Sequence, residues 1–139
     1  MIMHGDIVKF ISKHHVMVLS MRDGEDTWSC CCFYTFILAD PTLVFLSHND
    51  TRHAMLMLQT PCISGTISQQ TKSVRLIRGV QFKGVACITD SESLREQYNK
   101  RFPFAGMVKA ALWAVRLDYV KFTSNLIIFG EKLYWERVD

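Results

Sequence analysis

Apolar residues Ile2, Ile7, Val8 and Ile11 fall near one face at helical spacing, which predicts an opening helix over residues 2–13. Residues 15–21 form a short apolar, β-branched run. Residues 22–26 make a turn in which Gly24 can take positive φ, and residues 27–37 return with Trp, Phe and Tyr as the second arm of a hairpin. Ala39, Asp40 and Pro41 break that strand, residues 42–47 form a third, and residues 51–58 a helix. Residues 61–69 read as a strand and residues 70–73 as a polar link. A long strand is expected over residues 74–88, with Gly79 and Gly84 marking a bend or bulge of the kind a barrel wall uses. A helix opens at Asp90 with capping residues and early carboxylates and ends near Arg101, before Pro103, and a short second helix covers residues 106–110. Residues 112–123 alternate, with Leu112, Ala114, Arg116 and Asp118 opposing Trp113, Val115, Leu117 and Tyr119, and a last hairpin joins residues 126–129 to 132–135.

About seven or eight strands with three or four short helices make a mainly β domain, and connections this short favour antiparallel pairing. Closure into a small barrel removes exposed edges. A length of 139 residues sets the expectation of one domain over 1–139. The apolar fraction of 49% with 21% charged residues excludes a disordered chain. A net charge of +3 permits an anionic ligand but gives no dense basic stripe, so nucleic acid is not expected as a partner. No apolar run approaches the roughly 18–20 residues that span a bilayer, and the N-terminus has no secretory pattern, so the expectation is a cytoplasmic protein with no membrane partner.

The cysteines are Cys30, Cys31, Cys32, Cys62 and Cys87. Neighbours on a strand point to opposite faces, so the triple does not easily close a disulfide or hold one metal, and no C-x-x-C pair supports zinc. The expectation is small apolar thiols in a reduced protein, with no metal site.

The densest chemical signal is the passage from the apolar run at residues 43–46 through Ser47, His48, Asn49, Asp50, Thr51, Arg52 and His53 into the helix. The first N–H groups of a helix lack intrahelical partners and carry the positive end of its dipole. Arg52 in the first turn opposes that dipole, which calls for an anion beside it, most naturally a phosphate held with the Thr51 hydroxyl. Ser47 and His48 end the strand, within reach of the same ligand or simply closing the turn.

With strands in this order, the chain resembles the pyridoxamine-phosphate-oxidase-like FMN-binding split barrels. Those proteins run an aromatic strand through Ser/Thr and a polar turn into Ser/Thr-Arg-Lys at a helix start, as Phe45 to His53 does here. Arg78-Gly-Val-Gln-Phe-Lys-Gly84 is similar to the family's basic strand ending in Gly, and the segment from Leu112 through Trp113 and Arg116 to Phe122 to its Trp-containing strand. The resemblance is closest to a small YhbP-like branch, through Thr51–Ala54, Ile77–Gly84 and Lys121–Thr123. It implies an antiparallel FMN-binding split β-barrel working as a homodimer with FMN at a two-fold interface, and a small flavin-dependent oxidoreductase or flavin reductase. The substrate-contacting residues of the oxidase itself have no clear counterparts. His53 stands where the wider family usually has Lys, so a point charge is replaced by a group mostly neutral near pH 7.

The resemblance also assigns roles. Ser47, Thr51 and Arg52 would hold the FMN phosphate, with His48 and His53 alongside, and the backbone of Cys30, Cys31, Cys32 and Phe33 would lie along the flavin ring. Lys72, Arg75, Arg78 and Lys83 cluster on one hairpin. They are either solvated, edge-protecting cations or, for Arg78 and Lys83, contacts to the phosphate or to an anionic substrate. On an uninterrupted strand 72 and 78 share one face and 75 and 83 the other. Trp113 is a core or dimer-interface aromatic or a contact to the partner's cofactor. His14 and His15 end the first helix. The alternative function is a non-catalytic or haem-binding module on the same fold, with His14, His15, His48 or His53 as axial ligand. Phosphate loops, dinucleotide fingerprints, nucleophile elbows and H-E-x-x-H are absent.

Overall fold

A computed structural model describes residues 2–125 and 132–138. Its strands are β1 (Val16–Asp23), β2 (Asp26–Phe33), β3 (Thr35–Ile37), β4 (Thr42–Ser47), β5 (Cys62–Ser68), β6 (Arg78–Thr89), β7 (Ala111–Ser124) and β8 (Lys132–Glu136), with helices α1 (Gly5–Lys13), α2 (Arg52–Gln59) and α3 (Glu92–Arg101). Every pairing is antiparallel, in the order β2-β1-β5-β6-β7-β4-β3, with β8 added on β7. The fold is a split barrel of antiparallel strands with three short helices.

The expected β1–β2 hairpin turns through Gly24 and Glu25, with Gly24 at φ +64° and Asp23 paired to Asp26. The expected single strand over residues 27–37 is instead two strands. Tyr34 interrupts it: its side chain is buried, its N–H donates to His15 O at 2.9 Å and its hydroxyl to Ile11 O at 2.7 Å. Before Tyr34 the chain pairs with β1; after it, with β4. One passage thus crosses from one end of the sheet to the other. It leaves β2 lying against β4 with no hydrogen-bonded ladder between them, and this seam is the split in the barrel.

Residues 74–88 do not form one strand either. Val74–Leu76 is a 3-10 turn held off the ladder by Asn125, whose amide donates to Val74 O at 2.8 Å and whose N–H donates to Ile77 O at 3.0 Å. The face assignment for the four cations fails with it, because Lys72 and Arg75 precede β6. The expected bulge is present. Lys83 pairs with Tyr119 but Gly84 with Leu117, leaving Asp118 extra. A Cβ at Gly84 would lie 2.5 Å from Arg116 O, so only glycine lets β6 and β7 approach there.

The expected helix at residues 106–110 is a 3-10 turn over Pro103–Met107, with Pro103 starting it. That turn and α3 cover the outer face of early β7, so Leu112 is buried with Val44, Tyr98 and Ala105, and the expected alternation is lost there. The main core lies inside the barrel and takes in Ile7, Phe10 and Ile11 of α1. Residues 126–129 lie outside the described residues, and β8 pairs with β7, Phe122 opposite Leu133. Among the described residues no helix is long and apolar enough to cross a membrane.

Candidate functional site at the barrel seam

β4 ends at Ser47, and a turn of residues 48–50 delivers the chain to Thr51, the N-cap of α2. The Thr51 hydroxyl accepts from Ala54 N–H at 3.2 Å and donates to His48 O at 2.9 Å. His53 folds back beneath it, placing Nε2 2.8 Å from Ser47 Oγ and 3.3 Å from Thr51 Oγ1. Ser47 is buried, and burial pushes the His53 pKa below its ordinary value, so the ring is neutral at pH 7. The N–H groups of Arg52 and His53, the first of the helix, have no acceptor among the described residues. His48 is exposed and enters the turn through its carbonyl.

Arg52 points outward. Its guanidinium donates to Asp23 Oδ2 at 2.5 Å and sits 4.1 Å from the centroid of the Trp28 ring. The anion that this cation called for is thus supplied from within the chain, by the last residue of β1. Neither Asp23 nor Trp28 is suggested by the sequence around Arg52, because both come from a hairpin more than twenty residues away.

Below the helix start lie the thiols of β2. Residues two apart on a strand share a face, so Cys30 and Cys32 both turn inward toward α2, while Cys31 and Phe33 are exposed. Cys30 Sγ and Cys32 Sγ are 3.8 Å apart, and with a ring nitrogen of His53 they form a group whose atoms all lie within 4.8 Å of one another. Their hydrogen bond lowers the Cys30 pKa and raises that of Cys32, which burial raises further. The rule that adjacent cysteines diverge holds for each neighbouring pair but not for 30 and 32, and His53 reaches them only through the fold. Tyr98 of α3 closes the far side, donating to Phe33 O at 3.3 Å.

The remaining candidates lie elsewhere. Arg78 Nε donates to Gln69 Oε1 at 2.8 Å, with its guanidinium 5.5 Å from the Phe10 ring. Lys83 Nζ is 5.7 Å from the Tyr119 ring and lines an open cavity of about 510 Å³ on the outer sheet face with Ser20, Arg22, Ser64 and Asp118. Trp113 is a core residue rather than a surface contact: it is fully buried and stacked on Phe45 at 6.3 Å. His14 caps α1, its Nδ1 2.9 Å from Phe10 O, and shares a cavity of about 410 Å³ with His15, Val16 and Cys31.

No family model matches the chain. Relatives do: a protein of Cronobacter sakazakii is 40% identical over 136 residues, spanning 96% of this chain and 94% of its own, and one of Serratia proteamaculans is 42% identical over 134 residues, spanning 94% and 93%. Both are named UPF0306 proteins. The chain belongs to the UPF0306 family. Solved structures similar to this UPF0306 chain share its fold at low identity. A NimC/NimA family protein from Clostridium acetobutylicum has TM-score 0.69 at 14% identity, covering 95% of this chain and 90% of that one. A candidate pyridoxamine 5'-phosphate oxidase from Listeria innocua has 0.68 at 14%, covering 84% and 94%. HutZ, the haem storage protein from Vibrio cholerae, has 0.68 at 15%, covering 98% and 95%.

Proposed function

We propose that this UPF0306 chain is an FMN-binding split-barrel flavoprotein, a small flavin-dependent oxidoreductase or flavin reductase acting as a homodimer in the cytoplasm. The observation that carries the reading is the start of α2. Two N–H groups without an acceptor among the described residues, at Arg52 and His53, stand beside a half-exposed guanidinium, and the Thr51 hydroxyl can turn from His48 O toward the same point, together the donor set a phosphate monoester needs. The Arg52–Asp23 pair is itself solvent-exposed and worth at most about 1 kcal/mol, so a dianionic phosphate can replace Asp23 as the partner of Arg52.

The strand beside it fits the rest of the cofactor. Among the described residues β2 pairs with β1 alone, so one side of its backbone from Cys30 to Cys32 is open to the polar edge of a flavin ring. Bound FMN would supply hydride and electron transfer, while the chain supplies position and donors. His53, neutral and held by Ser47, orients the turn without adding a second charge.

Purified protein incubated with FMN is expected to retain a flavin's two-band visible spectrum. Arg52→Ala is expected to weaken FMN binding tenfold or more, since a charge-assisted contact contributes about 1.5–3 kcal/mol. A protein that neither carries nor binds FMN overturns the reading. One observation favours the haem-binding alternative: His14 and His15 line one cavity with Val16 and Val18. A Soret band on adding haem that disappears in His15→Ala selects it.

A further inference from the structure

The seam also holds a set of ligands that phosphate binding leaves unused. We propose that Cys30, Cys32 and His53 form a binding site for a single Zn²⁺ ion, clamped between β2 and the first turn of α2.

Two thiolates each about 2.3 Å from a tetrahedral zinc ion lie about 3.8 Å apart, and Cys30 Sγ and Cys32 Sγ are 3.8 Å apart. A tetrahedral Zn–S and Zn–N pair needs about 3.5 Å between sulfur and nitrogen. The three atoms already fall within 4.8 Å of one another, so a small rotation of the His53 side chain completes the set. A disulfide fits less well. Residues two apart on a strand have Cα atoms about 6.6–6.8 Å apart, the far limit for a disulfide, and the sulfurs would have to close to about 2.05 Å.

The surroundings agree. Zinc takes imidazole and thiolate, and the converging atoms here are two cysteine sulfurs and a histidine ring nitrogen. The Ser47 and Thr51 hydroxyls both lie on Nε2 of the ring, which leaves Nδ1 to the metal with Nε2 held by outer partners, as in other metal-ligating histidines. Three protein ligands leave a fourth position open to water, and the cluster is only partly buried. Bound metal would tie β2 to the end of β4 through α2, across the seam where no ladder joins them.

Co²⁺ titration of the reduced full chain, with Zn²⁺ as competitor, tests the site independently of flavin binding. One Co²⁺ per chain is expected, with a thiolate-to-metal charge-transfer band that Zn²⁺ abolishes. Cys30→Ser, Cys32→Ser and His53→Ala should each weaken binding at least tenfold, whereas Cys62→Ser and Arg52→Ala leave it unchanged. Arg52→Ala removes the flavin contact only, so the two readings fail separately. No charge-transfer band, or a band indifferent to Cys32→Ser, overturns the site. Should the cysteine variants misfold, alkylation of the wild-type chain decides: Zn²⁺ should protect Cys30 and Cys32 but not Cys62 or Cys87, and equal labelling of all four overturns the site.

Discussion

Two basic segments stand out in this chain, Thr51-Arg52-His53 and Arg78 to Gly84, and the fold treats them oppositely. At the first, the permanent cation is matched by Asp23 and Trp28, while neutral groups converge beneath the helix start: two hydroxyls, an imidazole and two thiols. At the second, Gln69 satisfies Arg78, and Lys83 stands over an aromatic ring on the wall of an open cavity. Charge alone therefore misidentifies the chemistry. The first segment is rich because donors and soft ligands from β2, β4 and α2 meet there. The second is a wall whose geometry is fixed by backbone packing at Gly84.

The largest effect should come from breaking that wall. In Gly84→Val, the added side chain meets Arg116 O and Val115 Cγ1, at 2.5 and 2.8 Å from the first added carbon. A loss of roughly 1–3 kcal/mol in urea-unfolding free energy is expected, as for other overpacked sites, with FMN affinity of the remaining folded protein unchanged. A matching loss of FMN affinity would mean that the two segments act as one site.

A smaller effect sharpens the first segment. Asp23→Asn releases Arg52 from its internal partner, so FMN should bind more tightly, by up to about fivefold, while stability falls by less than about 1 kcal/mol. Calorimetric titration reads the first quantity and thermal unfolding the second. Weaker FMN binding in Asp23→Asn would show that the carboxylate positions Arg52 instead of competing for it.

The smallest effect is a pH slope. The folded-state pKa of His53 lies below its unfolded value of 6.5, so the unfolded chain binds more protons between the two. Stability from this group is full above pH 6.5 and is lost as pH falls through the folded pKa. Unfolding free energies measured from pH 7.5 down to 5 should decline, and His53→Gln should flatten the decline. An unchanged slope in that variant would place the titrating group elsewhere.

Much of the fold was legible because its signals are local. The hairpin turn at Gly24, the strand 42–47, the helix that opens with capping residues after Asp90 and the bulge at Gly84 follow from neighbours a few residues apart. The misread elements fail for one reason, a distant contact overriding local pattern. Tyr34 divides an apolar run because its hydroxyl reaches α1, Asn125 holds residues 74–77 off the ladder, and α3 buries the face of β7 that alternation left to solvent.

The chain by itself determined a helix start with hydroxyls, an arginine and a histidine after a strand, since capping and dipole effects act within one turn. It also determined that Cys30 and Cys32 share a face, since strand period fixes direction. Only the tertiary structure decided what those groups meet. Closure of the barrel brings Asp23 and Trp28 to Arg52 and sets the thiols beside His53. An ion pair or a ligand set depends on distances through space, and those exist only once the fold brings β2 against β4 and α2.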